Sequence, residues 1–157
     1  MPIQCVVQAM NPSPYSSKVS RVITYNDRSM VTVEELNQLL VRSGQPPRSL
    51  TKLTIALDAS LACISARLLR EKTLVGFARL EGDGVFQATV WDCVVDPNLP
   101  QPEAVKRLVL ERMKREVRQR YAKCCISIFS SQEDYGLLNV LGFREDEKGI
   151  RGMQLRG

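Results

Sequence analysis

The sequence predicts an α/β domain built on a mixed, mostly antiparallel sheet with helices on its faces. Three strand-like segments follow one another between residues 60 and 95, and short turns separate them, as in an antiparallel meander. After residue 100, helical patterns alternate with strand-like segments, which places helices on the faces of a sheet. At 157 residues the chain has the size of one ordinary domain.

The N-terminal segment divides into a tail and a first strand. Residues 1–20 contain several prolines and serines and are predicted to form an irregular tail, so that the single domain occupies residues 21–157. Residues 21–25 are rich in β-branched and aromatic side chains, which favours a strand.

Two helices are predicted next, each with a recognisable start. Thr32 and Glu35 have the spacing of a capping box, and the helix they open is ended by Gly44. Ser49 can cap a second helix. The leucines expected to face the core are Leu36, Leu39 and Leu40 in the first helix and Leu50, Leu53 and Leu57 in the second.

The remaining elements follow from the change of apolar period along the chain. Strands are predicted over 60–69, 73–80 and 85–95, a long helix over 103–121, a buried strand over 124–129, a short helix over 133–141 and a last strand over 152–156. The long helix is predicted to pack on the sheet through Val105, Leu108, Val109, Met113 and Val117.

Composition excludes several classes of enzyme. The chain contains no histidine, which removes Ser-His-Asp and Cys-His hydrolases and most zinc enzymes, and no metal site is predicted. Its five cysteines are an odd number without a CxxC spacing, as expected for reduced thiols. A net charge of +5 permits anionic partners without selecting one. No apolar run is long enough to span a bilayer.

Several segments, in the same order along the chain, resemble one family. They are Val75–Arg79, Ala88–Asp92, Val95–Pro97, Leu141–Phe143 and Gly149–Met153. These resemble the GNAT superfamily of acetyl-CoA-dependent acetyltransferases, and most closely its cyanobacterial and plastid branch, which includes serotonin N-acetyltransferases and plastid protein acetyltransferases. The resemblance implies a GNAT-like sheet with helices on both faces, and a location in a cyanobacterial cytoplasm or a plastid stroma.

The loop that would hold acetyl-CoA departs from the family pattern. In the superfamily this loop reads Gln/Arg-x-x-Gly-x-Gly/Ala, and its amides at the start of the next helix hold the diphosphate of CoA. Prolines remove amide donors, and a carboxylate at the helix start competes for the helix dipole. We therefore expect this loop to be closed to CoA. The six positions here read Pro100, Gln101, Pro102, Glu103, Ala104 and Val105.

The residue at the position of the family's proposed catalytic acid also differs from the family pattern. Many family members carry a tyrosine, proposed to protonate the leaving thiolate, at the position of Leu138, which has no proton to donate. Tyr135, one turn earlier, could stand in, although a half-buried surface aromatic is the simpler interpretation. Asp92 is the best-placed general base, followed by Asp96 and Glu81, and its simpler interpretation is a sheet-end carboxylate bonded to backbone.

The long helix is strongly basic. It holds seven lysines and arginines against three glutamates, a net +4 of the whole-chain +5. A solvated basic face is the plain interpretation, and a surface for an acidic protein partner is the sharper one. Nucleic acid ranks lower because no aromatic residues are interleaved for base stacking. The predicted contact residues are Lys106, Arg107, Arg112, Arg115 and Arg118.

These observations favour a catalytically degenerate GNAT-fold protein that acts as a protein-binding, assembly or regulatory module, without a cofactor. The alternative is an active acetyltransferase for an amine or for a protein lysine or N-terminus. It would hold acetyl-CoA through the backbone of Val94 and Val95 and through Lys106 and Arg107. A third possibility is a sensor that binds acyl-CoA or a nucleotide without turnover.

Overall fold

The computed structural model describes residues 21–149 and 152–155, so the predicted tail over residues 1–20 lies outside the described residues. The described part contains five strands and four α-helices. In chain order they are β1 (Val22–Asn26), α1 (Val33–Arg42), α2 (Leu50–Asp58), β2 (Ala62–Leu68), β3 (Leu74–Gly82), β4 (Gln87–Val95), α3 (Pro102–Arg120), β5 (Cys125–Ile128) and α4 (Tyr135–Leu141). Short 3-10 turns lie at Arg28–Met30 and Gln132–Asp134.

The strands form one sheet in the order β1-β2-β3-β4-β5. The first four strands pair antiparallel, and β5 pairs parallel with β4 after the crossover through α3. The predicted fold class, a mixed and mostly antiparallel sheet with helices on both faces, is confirmed. No helix in the described part of the chain is long and apolar enough to cross a membrane.

Each face of the sheet has its own core. On one face, leucines of α1 and α2 pack with Phe77 and Val94. On the other, α3 and α4 pack on Ile64, Val75 and Val90. Burying side chains of this size contributes roughly 1.5–3 kcal/mol each.

Two details of the predicted packing are wrong. Leu50 of α2 is 40% exposed, because it is the first residue of its helix and lies at the rim of the core. In α3, Leu108 is 41% exposed and Leu110 is buried instead, so the inward face of the helix is rotated from the predicted one.

Local capping signals act as the sequence predicts. The Glu35 amide donates to Thr32 Oγ1 over 3.2 Å, and the Thr32 amide donates to Glu35 Oε2 over 3.4 Å, which completes the capping box of α1. Ser49 Oγ accepts from the Lys52 amide at the start of α2. Gly142 ends α4 at φ +95°, a conformation that favours glycine.

Three strand predictions are corrected. Strand β5 is not buried: Cys125 and Ser127 are exposed because β5 lies at an edge of the described sheet. Residues 152–155 form no strand, and Met153 and Leu155 are almost fully exposed. Strand β4 begins at Gln87 rather than residue 85, because the Asp83 carboxylate accepts three successive amides and holds the chain in a turn.

Candidate functional site

A cleft opens where β4 and β5 separate. The two strands pair only along Gln87–Val90 and Cys125–Ile128, while β4 continues to Val95. The cleft has a volume of about 310 Å³ and is closed on the helical side by α3 and α4. Its lining residues are Gln45, Val90, Trp91, Asp92, Cys93, Lys106, Leu110, Ile128, Phe129, Ser130, Ser131, Asp134 and Leu138.

A β-bulge in β4 shapes one wall of the cleft. The register with β3 shifts by one residue between Arg79↔Trp91 and Phe77↔Val94, so β4 carries one extra residue at this point. Asp92 lies at the bulge with φ +52°. Aspartate and asparagine enter this left-handed region more readily than most residues, which explains an acidic side chain at this position.

The Asp92 carboxylate is held by two guanidinium groups. Arg79 Nε donates to Asp92 Oδ2 over 2.6 Å, and Arg48 Nη2 donates to Asp92 Oδ1 over 2.8 Å. Burial raises the pKa of Asp92, but the hydrogen bonds from Arg48 and Arg79 outweigh it and leave the pKa below its usual range. Such a carboxylate is a poor proton acceptor at neutral pH.

The two further candidate bases, Asp96 and Glu81, are also paired. Asp96 is fully buried and accepts from Arg42 Nε over 2.7 Å. Glu81 forms an ion pair with Arg79. All three carboxylates that the sequence marked as possible bases therefore contact arginine side chains.

The connection between α1 and α2 is fixed to the bulge through Arg48. Its amide donates to Asn37 Oδ1 over 2.8 Å, and its carbonyl accepts from Asn37 Nδ2 over 3.1 Å. The Arg48 guanidinium reaches both Gln45 and Asp92. No local sequence pattern indicates this role of Arg48, because its partners lie in three different segments of the chain.

The loop that precedes α3 offers few amide donors. Pro97, Pro100 and Pro102 have none, and the amides of Asn98 and Leu99 donate to Asp96. Helix α3 starts at Pro102, and its N-cap residue Gln101 makes no side-chain cap bond. The exposed Glu103 lies in the first turn, where its charge opposes an anion. The loop thus offers fewer amides than the family pattern and adds a carboxylate at the helix start.

Val105 is part of the core rather than of an open loop. It is 6% exposed. A Cβ built on Gly76 of β3 would lie 3.2 Å from Val105 Cγ1 and 3.1 Å from Val109 Cγ2. Glycine on the strand therefore makes room for valine at a helix position that the family pattern gives to Gly or Ala.

An ion pair spans the cleft. Lys106 Nζ of α3 donates to Asp134 Oδ1, at the end of the 3-10 turn before α4, over 2.7 Å. Both residues line the cleft, and both side chains are partly exposed. Lys106 is thus placed in the cleft and not on the outer surface of the helix.

Among the described residues, the lining of the cleft includes no reactive thiol and no tyrosine. Burial raises the pKa of the Cys93 thiol to about 12, so it is protonated at neutral pH. Leu138 lines the cleft at the position where the family pattern has tyrosine. Tyr135 is 40% exposed and is not among the lining residues.

An aromatic pair stands where the strands separate. The rings of Trp91 and Phe129 lie 5.3 Å apart, and the two residues are 40% and 59% exposed. Phe129 does not stand out in the sequence, because the apolar run of β5 resembles a buried strand. The alternation of polar and apolar residues around Ser127 was the sequence signal that could have indicated a strand with one exposed face.

Several cations of the predicted basic surface have partners within the protein. Arg107 pairs with Glu111, and Arg112 pairs with Glu116 and donates to the Thr24 carbonyl. Arg115 and Arg118 are exposed, and neither forms an ion pair within the described residues.

Curated proteins with similar sequences share one description. GCN5-related N-acetyltransferase 1, chloroplastic, of Arabidopsis thaliana is 33% identical over 123 residues, which cover 78% of this chain and 61% of that protein. The uncharacterized N-acetyltransferase ycf52 of Pyropia yezoensis is 34% identical over 127 residues, covering 78% of this chain and 71% of that protein. The chain belongs to the GCN5-related N-acetyltransferase (GNAT) family.

Other comparisons agree with a GNAT fold. Serotonin N-acetyltransferase 2, chloroplastic, of Oryza sativa subsp. japonica is 35% identical over 123 residues, covering 77% of this chain and 60% of that protein. A GNAT-family acetyltransferase from Streptococcus pneumoniae superposes with a TM-score of 0.70 at 20% identity, covering 87% of this chain and 98% of that chain. A Staphylococcus aureus protein of unknown function superposes with a TM-score of 0.74, at 20% identity over 87% of this chain and 100% of that chain.

The match covers part of the length of the plant relatives. The chain spans about 60% of the length of the plant relatives, 61% of the Arabidopsis protein and 60% of the rice protein. No protein-family model matches the chain. The plant relatives are chloroplast proteins by name, in agreement with the predicted plastid or cyanobacterial location.

Proposed function

We propose that this GNAT-fold chain does not transfer acetyl groups and acts as a protein-binding module in assembly or regulation. The start of α3 carries the proposal. Three prolines in the loop and first turn remove amide donors, and Glu103 adds a negative charge at the helix start. Each charge-assisted hydrogen bond to the diphosphate contributes about 1.5–3 kcal/mol. The loss of several such bonds therefore weakens CoA binding by orders of magnitude.

The cleft supports the same proposal. Asp92 is held by Arg48 and Arg79 and does not act as a base. Leu138 supplies no proton to a leaving thiolate. Lys106, the cation that could compensate for the missing amides, is engaged by Asp134.

The partner surface is assigned to the exposed side of α3. Arg115 and Arg118 are both exposed on the last turns of the helix. Two guanidinium groups without an ion pair among the described residues favour a partner with an acidic surface, because exposed charges steer association and set specificity.

Turnover is the direct test of lost acetyl transfer. We expect no release of free thiol from acetyl-CoA above the uncatalysed rate with small amines, lysine peptides or free peptide N-termini. A GNAT relative such as the rice serotonin N-acetyltransferase serves as the positive control under identical conditions. Sustained thiol release that stops on removal of the amine would contradict the proposal.

An active acetyltransferase is the second candidate function. The open cleft between β4 and β5 favours it, as do the names of relatives at 33–35% identity. In that case the backbone of Val94 and Val95 with Lys106 and Arg107 would hold acetyl-CoA, and the acceptor would be an amine or a protein lysine or N-terminus. The same turnover assay decides between the two functions.

A further inference from the structure

Strand β5 leaves one edge of the sheet without a strand partner in the described part of the chain. It is the last strand in the sheet order, and β4 pairs with its inner edge. Native sheets protect such edges with charged side chains, prolines or bulges, because an unpaired row of backbone groups binds other strands. The four residues of β5, Cys125–Ile128, include no charged residue and no proline, and their pairing with β4 has no register shift. This edge therefore accepts a further strand.

The opposite edge of the sheet is engaged by helix α3. The Thr24 carbonyl of β1 accepts from Arg112 Nη1 over 3.4 Å, and Arg112 is held in place by its ion pair with Glu116. Asn26, the last residue of β1, donates to Glu116 Oε2 over 2.9 Å. Because β1 is tied to the helix in this way, β5 is the edge strand better suited to pairing with another chain.

Large apolar side chains are exposed at both ends of β5. Phe129, directly after the strand, is 59% exposed. Phe86, whose carbonyl accepts from the Cys125 amide over 2.9 Å at the other end, is 76% exposed. A Cβ built on Gly152 would lie 2.5 Å from Phe129 Cε1, so the exposed Met153 adjoins the same ring. Clustered exposed apolar side chains of this kind mark an interaction surface.

The charges that flank β5 are opposite in sign at its two ends. Lys123 lies two residues before the strand and Glu133 lies five residues after it. Both are exposed, and neither forms an ion pair within the described residues. Two copies of β5 related by a two-fold axis run antiparallel, so the Lys123 end of one copy lies beside the Glu133 end of the other. A second copy of this chain thus matches the edge in charge as well as in backbone.

We propose that two copies of the chain associate by antiparallel pairing of their β5 edges. The five-stranded sheet of one copy then continues into that of the other, with Ser127 near the centre of the pairing. The dimer carries the Arg115 and Arg118 surface of α3 twice. The inference goes beyond the proposed function and does not depend on it.

Sedimentation equilibrium of the purified full chain tests the proposal. We expect the wild type to sediment with twice the mass of the chain at micromolar concentrations. Ser127→Lys places like charges together across the axis and a lysine on the open edge, so the dissociation constant of the dimer should rise at least about tenfold. Thr51→Lys, which adds the same charge at an exposed site on α2, should leave the dimer unchanged.

A charge exchange tests the antiparallel orientation. Lys123→Glu alone and Glu133→Lys alone each place like charges at the two ends of the pairing, and each should weaken the dimer about threefold or more. The double variant Lys123→Glu with Glu133→Lys should recover the dissociation constant of the wild type. Cys125→Arg, at the other exposed position of β5, repeats the Ser127 test if circular dichroism shows that Ser127→Lys does not fold.

A wild type that remains monomeric overturns the inference. A dimer that Ser127→Lys and Cys125→Arg leave intact also overturns it, because its interface then lies elsewhere. A double charge variant that is weaker than either single variant excludes the antiparallel pairing. Since acetyl-CoA takes no part in these measurements, the dimer and the proposed function can each fail without the other.

Discussion

Asp92 is the residue on which the candidate site is organised. It joins three segments, since Arg48 comes from the α1–α2 connection and Arg79 from β3. The sequence indicated Asp92 as a carboxylate with two possible roles but did not indicate its partners. Arg48 is 44 positions away in the chain, a distance that no local pattern bridges.

Asp92→Asn tests this network without disturbing the bulge, because asparagine also tolerates φ +52°. The substitution leaves two arginine groups facing an uncharged partner, and we expect a loss of about 3 kcal/mol in the free energy of unfolding. Urea unfolding provides the measurement. Asp58→Asn, which breaks the exposed pair with Arg28, is the matched control and should cost under about 1 kcal/mol. Equal losses in the two variants would refute the special role of Asp92.

The ionised carboxylates also set the response to acid. Hydrogen bonds from Arg67 lower the pKa of Glu35, and hydrogen bonds from Arg48 and Arg79 lower the pKa of Asp92 against the effect of burial. A lowered pKa in the folded state means that the unfolded chain binds more protons as the pH falls. Stability should therefore be constant near neutrality and decline below about pH 4 to 5.

Urea midpoints measured between neutral pH and about pH 3 check this acid response. Asp92→Asn should flatten the slope in the acid range, since one of the depressed groups is removed. A slope identical to that of the wild type would show that Asp92 has an ordinary pKa in the folded protein.

At the scale of helices and strands, sequence signals were sufficient to predict structure where the interacting residues are close together in the chain. The capping box of α1 and the Ser49 cap of α2 are confirmed. The final strand and the burial of β5 were wrong, because an isolated strand pattern does not reveal whether a neighbour covers it. The cleft also depends on where β5 stops pairing with β4, which sequence spacing does not define.

Helix α3 and strand β3 have matched shapes that a double mutant can test. Gly76→Ala would place a Cβ 3.1 Å from Ala66 Cβ and Val109 Cγ2 and 3.2 Å from Val105 Cγ1. We expect this overpacking to cost about 1–3 kcal/mol. Adding Val105→Ala should recover part of the loss relative to the sum of the single variants. Simple additivity in thermal or urea unfolding would show that the two positions are independent.

The loop before α3 can be tested by restoring the family pattern. Glu103→Gly, Val105→Ala and Leu138→Tyr remove the opposing charge and return the tyrosine. Alanine is chosen at position 105 because glycine would leave a larger cavity against Gly76. We expect the triple variant to bind acetyl-CoA measurably by calorimetry at ligand concentrations where the wild type gives no heat, with Leu138→Tyr alone as the control. Silence of the triple variant would mean that the cleft itself, and not the loop, excludes CoA.

At the scale of the whole molecule, fold and family followed from the sequence, whereas the state of the site needed the structure. The resemblance identified the fold and the altered loop. It did not show that Lys106 turns into the cleft toward Asp134, or that Arg112 is tied to Glu116 and β1. Net charge is a sum over the whole chain. The side-chain contacts show that Arg107 has an ion-pair partner, whereas Arg115 and Arg118 have none among the described residues.

We propose above all that this GNAT-fold chain no longer binds acetyl-CoA at the start of α3. Calorimetric titration of the purified wild-type chain with acetyl-CoA, carried to millimolar ligand, tests it most directly. Loss of several charge-assisted bonds predicts no measurable binding heat in that range. Saturable binding with a micromolar dissociation constant would contradict the account and return the chain to the active acetyltransferases.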